Sequence, residues 1–94
     1  MKGMVNMNNL IIMRNQEVVG YYMAETGIGF RYAVLVKINY YDGAKYGFIT
    51  TSGQVTKEYK TKRSMSKWAM EREWQEIKTT YHQAKCQEMI KSYK

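Results

Sequence analysis

The chain has 94 residues, a hydrophobic fraction of 45% and a formal net charge of +7 at pH 7. A chain of this length forms one domain, spanning residues 1–94, and its hydrophobic content excludes an intrinsically disordered protein. The single cysteine, Cys86, excludes an internal disulfide, and no apolar run reaches the ~20 residues that a membrane-spanning helix needs. We therefore expect a soluble, cytoplasmic protein.

The first 25 residues contain a segment without periodicity, followed by an apolar run and a predicted strand. Residues 1–9 contain three asparagines, three methionines and a glycine without periodicity, which predicts a flexible arm. An apolar run follows at residues 10–14, and residues 17–25 have the composition of a strand in which Gly20 marks either a β-bulge or a close approach of another backbone segment. Residues 10–60 are predicted to form an antiparallel sheet, and residues 61–94 a helical region.

Residues 30–41 alternate between two sets of side chains with a period of two, which predicts a strand. Asp42 and Gly43 follow, and this dipeptide between two alternating runs is a strong hairpin signal, because a type I′ turn needs positive φ at both central residues. Residues 44–51 are predicted to return as a second strand, Ser52 and Gly53 to turn again, and residues 54–60 to form a third. These three strands form a β-meander, which is part of an antiparallel sheet of three to five strands.

Two-residue turns define the register, so each side chain can be assigned to a face of the sheet. A loop at Asp42 and Gly43 places Tyr41 opposite Ala44 and Val36 opposite Ile49. One face is then aliphatic and suited to a covering helix; it holds Val34, Val36, Ile38, Gly47 and Ile49. The opposite face combines aromatic rings with cations; it holds Arg31, Lys37, Asn39, Tyr41, Tyr46 and Phe48, with Lys57 opposite Phe48 and with Val55 and Tyr59 alongside.

The C-terminal third is predicted to be helical. Thr61 or Ser64 is expected to cap the helix, because either side chain can accept a hydrogen bond from a free amide of the first turn. Beyond the cap, apolar residues recur at alternating steps of four and three: Met70, Trp74, Ile77, Tyr81 and Ala84. This spacing fits one long helix or two helices broken near residues 79–80. We interpret the stripe as a helix laid on the sheet, with the seam of a homodimer as the alternative; the fold class is α+β.

The sequence offers no pattern of a catalytic, metal or cofactor site. His82 and Cys86 lie one helical turn apart, but the chain has no second histidine or cysteine, and a stable zinc site needs three or four ligands. The same pair lacks the pocket and the orienting third group that a Cys–His nucleophile requires. We therefore expect a protein that is not an enzyme and that uses no metal or cofactor.

Positive charge is concentrated where the predicted sheet ends and the helix begins. Residues 57–67 hold five cations against Glu58 alone: Lys57, Lys60, Lys62, Arg63 and Lys67. Such a cluster attracts a polyanion, although a solvated surface that only confers solubility has the same composition.

The aromatic and cationic face of the sheet adds a second ingredient, because proteins that bind single strands stack bases on rings while cations contact phosphates. Alternatively, the sheet enters the DNA major groove, where Arg31 would read guanine and Asn39 adenine. The predicted nucleic-acid or partner surface comprises Arg31, Lys37, Asn39, Lys45, Tyr46, Phe48, Lys57, Tyr59, Lys60, Lys62, Arg63 and Lys67.

The run EYKTKRSMSKWAMERE, from the last strand into the helix, resembles the small N-terminal DNA-binding domain of phage and transposon tyrosine recombinases. That family has a G-F-x-T-K-x-x-A-x-x-W run here, and four residues fall on matching positions: Tyr59, Thr61, Lys62 and Trp68. Glu58 and Met65 replace small or apolar residues of the family, and the basic run of its middle strands is reduced to Lys45. The resemblance covers residues 30–76 and implies a sheet that reads DNA.

A short basic domain without catalytic motifs also resembles small phage or mobile-element proteins that inhibit host machinery, anti-CRISPR proteins among them. This resemblance implies a viral protein of the host cytoplasm that covers a nucleic-acid-processing complex. We therefore predict a small basic nucleic-acid-binding protein, with an inhibitor acting through protein–protein contacts as the alternative.

Overall fold

A computed structural model describes residues 12–50 and 54–91. Five strands form one antiparallel sheet in the order β4–β3–β2–β1–β5, and a helix packs on each face. The strands are β1 (Gln16–Thr26), β2 (Gly29–Tyr40), β3 (Gly43–Thr50), β4 (Val55–Tyr59) and β5 (Gln75–Glu76), and the helices are α1 (Lys62–Glu71) and α2 (Thr80–Lys91). The predicted α+β class is confirmed, whereas the predicted arm at residues 1–9 and the turn at residues 52–53 lie outside the described residues. Neither helix is long and apolar enough to cross a membrane.

The β2–β3 hairpin differs from the predicted register by two positions. Tyr40 pairs with Gly43 and Val36 with Gly47, so the loop is Tyr41–Asp42 rather than Asp42–Gly43. Gly43 takes a φ of +136°, a conformation open mainly to glycine, and it begins β3 directly after the loop. Because side chains on a strand alternate with a period of two, this shift leaves each residue on its predicted face.

The core consists of two clusters on opposite faces of the sheet. The aliphatic face packs against α2 and the segment before it; this cluster contains Val34, Val36, Ile38, Ile49, Ile77 and Cys86. The other face packs against α1 and the segment after it; this cluster contains Tyr22, Ala33, Leu35, Phe48, Met65, Ala69 and Trp74. The prediction of a helix-covered aliphatic face is confirmed, but the centre of the opposite face is covered as well.

A β-bulge makes the register between β3 and β4 differ from the predicted one. Lys57 pairs with Phe48 as expected, but Ile49 pairs with Val55, so Thr56 is the extra residue. The Oγ1 of Thr56 donates a hydrogen bond of 3.0 Å to the carbonyl oxygen of Phe48. Val55 therefore packs with the aliphatic cluster, and its predicted place beside Tyr59 is wrong. In β1, the register shifts between Val18 and Gly20, so the bulge, one of the two alternatives predicted for Gly20, is present with Val19 as the extra residue.

Thr61 caps α1, as one of the two sequence alternatives predicted. Its backbone is extended, with φ −126° and ψ 151°, and its Oγ1 accepts a hydrogen bond of 3.1 Å from the Ser64 amide. Because Ser64 is the third residue of the helix, this is the usual geometry of an N-cap.

The helical region breaks earlier than predicted, directly after Glu71. Glu73 adopts a left-handed φ of +68°, and its amide donates to the Met70 carbonyl while the Trp74 amide donates to the Ala69 carbonyl, both at 3.0 Å. These two bonds form a Schellman motif, which satisfies the last carbonyl groups of a helix. The chain then adds β5 to the edge of β1 before α2 begins.

The predicted stripe of apolar residues does not form one helical surface. Met70 belongs to α1 and is 64% exposed, whereas Trp74 is buried on the α1 side of the sheet and Ile77 on the α2 side. Tyr81 and Ala84 belong to α2 and are exposed. The sheet separates these five residues, so they do not form the continuous helical seam that the alternative of a homodimer assumed.

Candidate nucleic-acid interface

The α1 side of the sheet has a covered centre and an open margin. Helix α1 covers Ala33, Leu35 and Phe48. The next row across the strands is formed by Lys37, Tyr46 and Tyr59, and these side chains are half-buried. Only two residues separate Tyr59 from the first residue of α1, so this row adjoins the beginning of the helix.

A groove of about 240 Å³ lies between β4 and α1. It is lined by Tyr59, Ser64, Lys67, Trp68 and Glu71. The two rings are half-buried, since each packs against the cluster beneath α1 and keeps part of its surface open. We call this groove, together with the five cations of residues 57–67, the β4–α1 surface.

A cation lies over each ring of the groove. The Nζ of Lys57 is 5.4 Å from the centroid of the Tyr59 ring, and the Cζ of Arg72 is 4.5 Å from the centroid of the Trp68 ring. At exposed sites such a contact contributes about 0.5–1 kcal/mol. The cations therefore cover the rings without being bound tightly to them.

The first turn of α1 carries charges that oppose its dipole. Lys62 and Arg63 are its first two residues, and that turn has no acidic residue. Negative side chains stabilise a helix N-terminus by about 0.3–1 kcal/mol each, and positive ones have the opposite effect. These cations thus lie where they weaken the helix, whereas an anion bound there would interact with both the cations and the helix dipole.

The cations of the β4–α1 surface form no ion pairs with the carboxylates of the described residues. Within residues 12–50 and 54–91, none of Lys57, Lys60, Lys62, Arg63 and Lys67 forms an ion pair. Glu58 accepts a hydrogen bond of 2.7 Å from the Tyr40 hydroxyl, which raises the pKa of Tyr40. Since Glu58 pairs with Gly47, it faces the α2 side of the sheet, away from the groove.

Phe48 does not belong to this surface. Its side chain is completely buried and makes edge-on ring contacts with Tyr22, Trp68 and Trp74 at centroid distances of 5.4, 5.7 and 5.1 Å. The prediction that Phe48 contacts a ligand is wrong, because α1 and the residues after it cover that part of the sheet.

Three other predicted residues are separated from the groove. The Arg31 guanidinium lies over Trp74 at 4.9 Å, beyond the C-terminal end of α1. Lys45 lies on the α2 side, 5.7 Å from the Tyr40 ring. Asn39 is exposed on the α1 side near the hairpin, eight residues and roughly 26 Å along β2 from Arg31. Because α1 packs between Arg31 and Asn39, the two do not form one base-reading surface.

Trp68 lines the candidate groove and Arg72 lies over its ring, although the sequence did not identify either as a binding residue. Their spacing of four residues was the available signal, because it places two side chains on one side of a helical turn. The contact of Arg72 with the ring is accompanied by a hydrogen bond of 3.4 Å from its Nη1 to the Trp68 carbonyl.

His82 and Cys86 have partners within the fold. The Nδ1 of His82 is hydrogen-bonded to the Tyr32 hydroxyl at 2.9 Å, and the Sγ of Cys86 donates to the Ala33 carbonyl at 3.5 Å. Burial raises the pKa of the Cys86 thiol to about 12. In the described part of the chain, no three histidine, cysteine or acidic side chains are grouped so that they could hold a metal ion.

Comparison of the chain with protein-family models, with curated proteins and with solved structures finds no match. Its function is therefore inferred from the geometry of the β4–α1 surface.

Proposed function

We propose that this protein binds nucleic acid and that the β4–α1 surface is its binding site. The proposal is supported by one arrangement: five cations without ion pairs in the described residues adjoin a groove with two half-buried aromatic rings. Cations and a helix N-terminus suit phosphates, and rings suit bases. Stacking of a base on a ring contributes about 1–3 kcal/mol, more than the exposed cation–ring contacts that cover these rings in the free protein.

Salt dependence is the direct test of this proposal. Binding of labelled DNA and RNA, single-stranded and duplex, would be measured by fluorescence anisotropy between ~50 and ~200 mM salt. The affinity should fall steeply with salt, because each phosphate contact releases a counterion. No binding to any of these nucleic acids at ~50 mM salt would contradict the proposal.

Two charge-reversal variants distinguish binding at the β4–α1 surface from binding that depends only on the net charge of the protein. The site variant replaces four cations of the β4–α1 surface with glutamate: Lys57, Lys60, Lys62 and Arg63. The control makes the same charge change at exposed cations elsewhere: Arg14, Lys45, Lys78 and Lys85. Binding should be abolished in the first variant and largely retained in the second; equal losses would show that only net charge matters.

Inhibition of a host nucleic-acid-processing protein is the second candidate function. An exposed aromatic group on the α2 side favours it. Phe30 and Tyr81 are 47% and 65% exposed, and each contacts the His82 ring edge-on, with ring centroids 4.9 and 5.1 Å apart. Exposed apolar groups of this kind occur at protein interfaces. A Phe30→Ser, Tyr81→Ser variant should then lose a partner that is recovered in fixed ratio after nuclease treatment, whereas a partner released by nuclease would contradict this alternative.

A further inference from the structure

We infer that the ligand of the β4–α1 surface is single-stranded and that the groove between Tyr59 and Trp68 receives one unstacked base bearing an amino group. This inference rests on the proposed nucleic-acid binding and narrows it to a class of ligand. It is carried by the position of the two rings, by the cations over them and by Glu71, the carboxylate at the groove.

The rings are held in place before any ligand binds. Trp68 packs edge-on against the buried Phe48 ring, with the centroids 5.7 Å apart, and Tyr59 packs against the same cluster. A preformed aromatic site costs little ordering on binding. In a duplex the base faces are stacked on each other, so only an unpaired base can offer its face to these rings.

The cations over the rings have a second role when a base enters. Arg72 and Lys57 are long side chains whose contacts with Trp68 and Tyr59 are exposed and therefore weak. Stacking on a base replaces these contacts at a net gain, and the displaced cations can then reach the phosphates on either side of that base. The free protein thus holds its phosphate-binding groups beside its base-binding rings.

Glu71 is the residue that a surface for phosphates alone would not need. Glu71 lines the groove together with Lys67, and none of the described residues forms an ion pair with it. A carboxylate accepts hydrogen bonds only. Cytosine, adenine and guanine each offer it an exocyclic amino group. Thymine and uracil lack such an amino group, and their single ring N–H lies between two carbonyl oxygens that repel a carboxylate, so the groove should discriminate against them.

The experiment measures the binding of oligothymidine, oligocytidine and a mixed duplex of equal length, about 12 nucleotides. Single strands should bind more tightly than the duplex, and oligocytidine more tightly than oligothymidine. Trp68→Ala should weaken single-strand binding about tenfold, the loss of one stacked base, without changing duplex binding, whereas Trp68→Phe should retain most of the affinity. Glu71→Gln should remove the preference for oligocytidine, and Glu88→Gln on α2 is the matched control.

Trp68 fluorescence provides a measurement that does not depend on the folding of the alanine variant. In a Trp74→Phe background Trp68 is the only tryptophan, since the chain has two, and its emission can be excited at wavelengths that the nine tyrosines do not absorb. A stacked base should quench this emission. Absence of binding to every oligonucleotide would overturn the proposed function itself. Equal binding of duplex and single strands without quenching would overturn only the single-strand inference, and equal binding of the two homopolymers only the base preference.

Discussion

The guanidinium carbon of Arg72 lies 4.5 Å from the centroid of the Trp68 ring, and Nη1 of Arg72 donates to the Trp68 carbonyl oxygen. Arg72 is the C-cap residue of α1, where a cation also interacts favourably with the negative end of the helix. One side chain thus stabilises the end of α1 and covers the ring proposed to receive a base.

Replacing Arg72 with alanine should lower both stability and affinity. Loss of the cation–ring contact should reduce the free energy of unfolding by about 0.5–1 kcal/mol, measured by urea denaturation. The slope of log affinity against log salt should fall by about 1, because one phosphate contact is lost. Arg14→Ala removes an exposed cation away from the groove and should change neither quantity; an equal effect of both substitutions would contradict the assigned role.

Replacing Glu73 with glycine should stabilise the protein. Glu73 adopts a φ of +68°, and the left-handed conformation costs a residue with a Cβ atom roughly 1 kcal/mol more than glycine. The denaturation midpoint should therefore rise without a change in the urea slope. Glu73→Ala removes the same charge and keeps the Cβ atom, so a similar gain in that variant would show that charge, and not backbone conformation, is responsible.

Replacing Thr61 with alanine should destabilise the start of α1. Its Oγ1 accepts from the Ser64 amide at 3.1 Å, and loss of an N-cap costs about 1 kcal/mol. Thr61→Ser retains the hydroxyl and should retain most of the stability. The free energy of unfolding of the three proteins, measured by urea denaturation, tests the cap, and equal values for the alanine and serine variants would contradict it.

Stability should decline at alkaline pH because of Cys86. Burial raises the pKa of this thiol from 9.0 to about 12, so between these values the unfolded chain has lost a proton that the folded chain still holds. The contribution of Cys86 is complete below pH 9.0 and decreases above it, by as much as about 1.4 kcal/mol per pH unit.

The Cys86→Ala variant isolates that effect. Alanine removes the titrating group, and the tyrosines that also titrate at high pH are present in both proteins. Urea denaturation of the two proteins at several pH values between 8 and about 11 should give profiles that converge as the pH rises. Parallel profiles would show that the thiol does not titrate differently in the two states.

The sequence by itself determined four of the five strands, the two faces of the β2–β3 hairpin and the basic cluster. These features depend on local patterns: the period of two in residues 30–41, the turn beside Gly43, and the order of charges from Lys57 to Lys67. The hairpin register was predicted wrongly by two positions, and the faces were still right, since a shift of two preserves the side to which each residue points.

Only the tertiary structure decided where the helix ends and which rings remain accessible. The spacing of Met70, Trp74 and Ile77 fits a continuous helix, but the chain breaks at Glu73 because Trp74 packs on Phe48 on one face and Ile77 on the aliphatic cluster of the other. Contacts between residues so distant in the chain override local helix preference. The same packing buries Phe48 and places the groove with Tyr59 and Trp68 at the margin of the sheet, beside the charges that the sequence had already placed there.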